Sequence, residues 1–128
     1  MQKQDIKHLC DVIRETSFSI HCYHRSGHLE KIYENALVHR LEKNGIKVKQ
    51  QHPLSVYDED NTLLGDFHAD LFVDDRLIVE VKACKAISNE HIAQLLGYIR
   101  ASRIKDGLLI NFGAPKLQIR KYVLSNNF

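Results

Sequence analysis

Leu77-Ile78-Val79-Glu80-Val81-Lys82-Ala83 is the stretch whose reading decides the fold. Its near-continuous apolar character is that of a strand buried on both faces, which places it in the middle of a sheet. Glu80 and Lys82 interrupt it two residues apart, so in extended backbone both side chains lie on one face while Val79, Val81 and Ala83 take the other. Just upstream, Ala69-Asp70-Leu71-Phe72-Val73 sets another carboxylate among apolar neighbours. The connection between the two runs decides whether the acids meet. A two-residue loop at Asp74-Asp75 puts Asp70 and Glu80 on opposite faces, whereas a three-residue loop over 74 to 76, or a bulge, sets them opposite each other. The second arrangement is expected.

Working toward the N-terminus, Lys47 to Tyr57 and Leu63 to Val73 alternate and are rich in β-formers, with Asp58-Glu59-Asp60-Asn61 as a polar turn, so they form a hairpin. Before it, His28 to Asn44 carries Leu29, Ile32, Tyr33, Ala36, Leu37 and Leu41 as a helical stripe that ends at Asn44-Gly45. A first amphipathic helix spans about Asp5 to Cys22, with Ile6, Leu9, Cys10, Ile13 and Phe18 on its apolar side. Toward the C-terminus, Ser88 caps a helix running to about Ser102 with Ile92, Leu95, Leu96 and Ile99 buried. Gly107 to Phe112 is then a strand, Gly113-Ala114-Pro115 a loop, and Leu117 to Leu124 a last strand. The fold class is α/β: an antiparallel three-strand meander, a crossover helix and two further strands make a mixed central sheet flanked by helices. With no repeat and no Gly/Ser/Pro linker, residues 1 to 128 are expected to form one domain with an added N-terminal helix over about 5 to 22.

Composition sets the outer bounds. At 128 residues and 44% hydrophobic, the chain can bury a core without disulfides. Cys10, Cys22 and Cys84 form no CxxC pair and are expected as core or half-buried thiols in a reduced, cytoplasmic setting. Charges interrupt every apolar run, so no membrane partner is expected. The net charge of +2 argues little, but Arg100 to Phe128 holds six basic residues against Asp106 alone, a net +5 that could track phosphates. His21, Cys22, His24 and His28 match no common zinc spacing, and surface histidines are expected there.

Two half-buried carboxylates on one face repel each other and need a cation. Oxygen ligands favour Mg²⁺, with Mn²⁺ as substitute, over zinc. Such an ion binds a phosphate oxygen and offsets charge during phosphodiester displacement, and Lys82 beside it can position the nucleophile or stabilise the transition state.

Asp70, nine intervening residues and Glu80-Val81-Lys82 resemble the PD-(D/E)XK phosphodiesterase core, with Ala69 in place of the motif's proline. Gly27-His28-Leu29-Glu30-Lys31-Ile32-Tyr33 resembles the motif of the GxxExxY protein family, a PD-(D/E)XK-like group, and Asn111-Phe112-Gly113-Ala114-Pro115-Lys116-Leu117 extends the likeness to roughly residues 20 to 124. Gln94-Leu95-Leu96-Gly97-Tyr98 looks like the QxxxY motif of exonuclease and RecB-type members. The resemblance implies a restriction-endonuclease-like core and a Mg²⁺-dependent nuclease acting on nucleic acid, with DNA the expected substrate. It implies Glu30, Asp70 and Glu80 as metal ligands, with Glu34 the alternative to Glu30. Lys82 would be the catalytic lysine, and Gln94 and Tyr98, on one helix face, its auxiliaries. The alternative is a non-catalytic nucleic-acid-binding or protein-interaction module that keeps the fold. A homo-oligomer or a larger defence or repair assembly is a further expectation for a domain with so little surface for choosing a substrate.

Overall fold

A computed structural model describes residues 5 to 124. Two helices come first, α1 (Ile6–His24) and α2 (Glu30–Lys43). The hairpin β1 (Val48–Tyr57) and β2 (Leu63–Val73) and the short strand β3 (Leu77–Lys82) follow. Helix α3 (Asn89–Ser102) then crosses over to β4 (Asp106–Asn111), and β5 (Gln118–Val123) closes the sequence of elements. The five strands lie in sequence order, antiparallel except for the parallel pair β3 and β4 that the α3 crossover requires. This is the mixed sheet the hydrophobic pattern predicts, with β3 at its centre.

Alternation along the strands feeds two apolar layers. Leu71, Val73, Val79, Val81, Leu108 and Ile110 meet Leu9, Ile13, Ile20, Leu37 and Leu41 of α1 and α2, while Phe72, Ile78 and Leu109 meet Leu95 and Ile99 of α3 on the other side. The helices have clear local reasons to begin where they do. The Asp5 side chain accepts the His8 N–H at 2.7 Å, and Ser88 and His91 form a reciprocal capping box on α3.

Several sequence expectations need correction. Phe18 is 61% exposed, because α1 turns Ser17, Ile20 and His21 toward the core instead. Leu29, expected in the α2 stripe, precedes the helix as its N-cap and is exposed, and Ile32 faces partly outward. His21 is no surface histidine: it is buried, and its Nε2 lies 3.0 Å from the Ala114 carbonyl oxygen, joining α1 to the loop after β4. Of the three thiols, Cys10 is buried and Cys84 half-buried, but Cys22 is exposed. The basic residues of the last stretch do not form one face either. Arg120 and Lys121 are consecutive on β5 and so point to opposite sides of the sheet, while Arg100 and Arg103 sit at the end of α3. Among the described residues no helix is long and apolar enough to cross a membrane.

Candidate active site

The turn between β2 and β3 has the three residues expected of it. Val73 faces Leu77, the Arg76 N–H donates to the Val73 carbonyl at 3.1 Å, and Asp74 and Asp75 take left-handed φ values of 54° and 57°. Aspartate tolerates that region better than most side chains. The register continues through Phe72 opposite Ile78 and Leu71 opposite Val79, and there the pairing stops.

One step further the carboxylates replace the ladder. The Asp70 N–H donates to Glu80 Oε2 at 2.8 Å, and the Val81 N–H donates to Asp70 Oδ2 at 2.9 Å, so each acid is anchored on the strand that carries the other. The same point is disturbed on the β1 side. Register passes from Gln50 opposite Leu71 to His52 opposite Ala69 without pairing Gln51 and Asp70, and Gln51 has φ 49°. Ala69 accordingly faces the α3 layer although Leu71, two residues on, faces α1 and α2. Strict alternation forbids that, so β1 and β2 are locally distorted where Gln51 and Asp70, one residue on each strand, go unpaired without a change of register.

Glu80 is 5% exposed, and burial together with the Asp70 charge pushes its carboxyl pKa up to about 7. Asp70 is also raised, chiefly by burial, against the lowering effect of its bonds from Val81 and Gln51. Glu30, the first residue of α2, is raised by burial and by Asp70. One turn on, Glu34 is buried and accepts from Lys31 Nζ at 2.8 Å and from the side-chain amides of Gln50 and Gln51. Gln51 Nε2 also donates to Asp70 Oδ1 at 3.2 Å, which ties Glu34 to the acid pair.

On the other side of Glu80, the Lys82 Nζ donates to Gln94 Oε1 at 3.2 Å, and Gln94 Nε2 donates to the Tyr98 hydroxyl at 2.9 Å. The Tyr98 ring is stacked on Phe67 with centroids 3.8 Å apart. The i, i+4 spacing on α3 thus builds a relay from a packed aromatic pair on β2 and α3 to the lysine. Glu80 and Lys82 both point away from the Val79 and Val81 face, toward α3.

These observations decide the family. A family model for the PD-(D/E)XK nuclease superfamily matches residues 7–122, nearly the whole chain. The chain belongs to the PD-(D/E)XK nuclease superfamily. No curated protein matches it.

Superfamily membership makes a divalent metal the cofactor to test against the site. Among the described residues no three His, Cys, Asp or Glu side chains are already gathered into a metal cage. The donors nevertheless fit a hard cation. Asp70 and Glu80 are oxygen ligands whose ionised forms are penalised by burial, Glu80 also by the Asp70 charge and Asp70 by that of Glu34, and a bound cation offsets these penalties.

Two residues of the stretches that carry the GxxExxY resemblance, Tyr33 and Asn111, hold the architecture around the site. Tyr33 is fully buried, stacked on Phe112 at 4.8 Å, and its hydroxyl donates to the Arg25 carbonyl and accepts the His28 N–H at 3.1 Å. It therefore clamps the turn through Gly27, whose φ of 119° suits glycine, and sets where α2 and Glu30 begin. Asn111 is the second. Its side chain accepts the Cys84 and Gly113 N–H groups and donates to the Cys84 carbonyl and to Gln118, each at 2.9 to 3.0 Å, pinning the chain as it leaves β3. Sequence reading singled out neither Gln50 nor Gln51, and for Asn111 it offered a place in the resemblance but no role. For Gln51 a signal existed: it lies in a run of consecutive polar residues, Lys49-Gln50-Gln51-His52, that breaks the alternation of β1.

Proposed function

We propose that the chain is a Mg²⁺-dependent nuclease that hydrolyses phosphodiester bonds in nucleic acid, with DNA the preferred substrate and Mn²⁺ able to substitute. The observation that carries this reading is the reciprocal anchoring of Asp70 and Glu80 across the opened β2–β3 ladder, with Lys82 beside them. Fixing two acids by backbone bonds, at the cost of burying them, is explained if they hold a cation.

Asp70 and Glu80 would hold the ion, with Glu30 or Glu34 nearby to add a carboxylate. When bound, a divalent ion supplies polarisation of a phosphoryl oxygen and neutralises charge that grows during displacement. The protein's own groups do the rest. Lys82 Nζ, a donor only, presents its protons toward the oxygen that attacks or the phosphate it attacks. Gln94 Oε1 accepts a hydrogen bond from the ammonium and fixes its direction, and the Tyr98 hydroxyl accepts from the amide and fixes it in turn. Subfamily membership in the GxxExxY group agrees with the Glu30 and Tyr33 placement and belongs to the same proposal.

The test is cleavage of labelled single-stranded, duplex and branched DNA and of RNA with Mg²⁺, Mn²⁺ or EDTA. Metal-dependent cleavage is expected, reduced on the order of 10²- to 10³-fold in Lys82→Ala and abolished in Asp70→Ala. Calorimetric Mg²⁺ binding should vanish in Glu80→Ala. Nucleic-acid binding with no metal dependence and no cleavage of any substrate would instead identify a non-catalytic module.

A further inference from the structure

A cleft of about 860 Å³ runs between α1 and α2, outside the acid pair. Residues spaced four apart on α2 build one wall as two ridges, Asn35, His39 and Lys43 in one and Ile32, Ala36 and Arg40 in the other, with His24 of α1 across from them. No aspartate or glutamate lines this cleft. Among the described residues neither Arg40 nor Lys43 has a carboxylate within 4.0 Å, whereas Lys31, Lys47 and Lys49 all do. The cleft thus concentrates uncompensated nitrogen donors on a chain whose net charge is only +2.

Its position gives the cleft a direction. Asn35 stands at one end and accepts a hydrogen bond from Gln50 Nε2, the same amide that donates to Glu34 beside the acid pair. From Asn35 to Lys43 the helix advances roughly 12 Å, so the donors form a track that starts at the candidate active site and leads away from it. A small anion would need a compact cradle, and an extended polyanion needs a track of this kind.

We propose that the α1–α2 cleft binds the phosphate backbone of a nucleic-acid strand as it leaves the active site, with Arg40 and Lys43 contacting phosphates and His24 and His39 flanking the strand. The proposal rests on the nuclease reading for the identity of the strand, but binding can be measured where no cleavage occurs. The experiment is fluorescence anisotropy of a labelled 20-nucleotide single strand and its duplex (about two turns) in EDTA across a NaCl series. Three proteins are compared: wild type, Arg40→Glu/Lys43→Glu, and a control with the same charge change on β5, Arg120→Glu/Lys121→Glu. Arg40→Gln/Lys43→Gln serves if the reversal unfolds the chain, as judged by circular dichroism.

Wild type should bind, and the cleft variant should show weaker binding with a log–log salt slope shallower by about 1.5 to 2, while the β5 control changes far less. Equal losses in the two variants would overturn the proposal in favour of net charge alone. So would unchanged binding in the cleft variant, absence of binding by wild type, or competition by millimolar inorganic phosphate that abolishes the difference, which would mark a small-anion site. Metal-dependent cleavage that survives in the cleft variant with unchanged KM would sink the cleft while leaving the nuclease reading standing.

Discussion

Glu80 and Lys82 could be found as residues because they are chemically out of place. A carboxylate and an ammonium inside an otherwise apolar central strand have no structural excuse, and their spacing of two fixes a common face. What strand reasoning could not supply is how the acids are held. Their partners are backbone N–H groups left free where the ladder pairing stops at Asp70, and such a local distortion leaves little trace in a sequence. Nor could spacing choose between Glu30 and Glu34, which sit one turn apart on the same helix; the structure distinguishes their surroundings, Glu34 being committed to Lys31, Gln50 and Gln51. At this scale the Lys82–Gln94–Tyr98 relay gives a sharp expectation. Gln94 touches the lysine and not the acids, so Gln94→Ala should lower kcat by on the order of 10- to 100-fold and leave Mg²⁺ affinity as in wild type. A matching loss of Mg²⁺ affinity in titration calorimetry would show that Gln94 acts on the metal ligands rather than through Lys82.

Among the elements, the crossover helix was legible because it follows from a change of period from two to 3.6, whereas the three-residue turn was favoured over a two-residue loop because, of the two, it sets Asp70 opposite Glu80. The tertiary use of α1 was not. Its pattern admits Phe18 or the Ser17, Ile20 and His21 side, and only the loop after β4, through Ala114, selects the latter. The end of β4 is part of the site too, since Asn111, its last residue, holds the Cys84 backbone two residues beyond Lys82. Gly113 allows the close approach: a Cβ there would stand 2.3 Å from the Cys84 nitrogen. Asn111→Ala leaves the Cys84 N–H and carbonyl without these partners and should cost about 3 kcal/mol in urea unfolding. If the variant loses less than about 1 kcal/mol, the chain after β3 is held by something other than this side chain.

At the scale of the molecule, burying Glu80 and Asp70 together couples the site to the stability of the whole fold. An unfolded glutamate ionises near 4.5, whereas Glu80 in the folded chain holds its proton to about 7. Between those values the folded state binds more protons than the unfolded one, so stability falls as pH rises, and below 4.5 both states are protonated and the difference vanishes. Asp70, raised from 3.8, acts in the same direction. The loss from Glu80 amounts to roughly 3 kcal/mol once pH passes 7. A divalent cation binds the ionised acids, so it should restore stability at pH 8 and do little at pH 5. Urea melts with EDTA at pH 5 and pH 8 should therefore differ, with Mn²⁺ closing most of the gap, and Glu80→Gln should flatten the pH dependence and remove most of the Mn²⁺ effect. An unchanged pH dependence in Glu80→Gln would mean that the destabilising charge lies elsewhere. The sequence could announce the acids, but their shared burial depends on α2, β2, β3 and α3 closing around them at once, and that is a property of the assembled sheet.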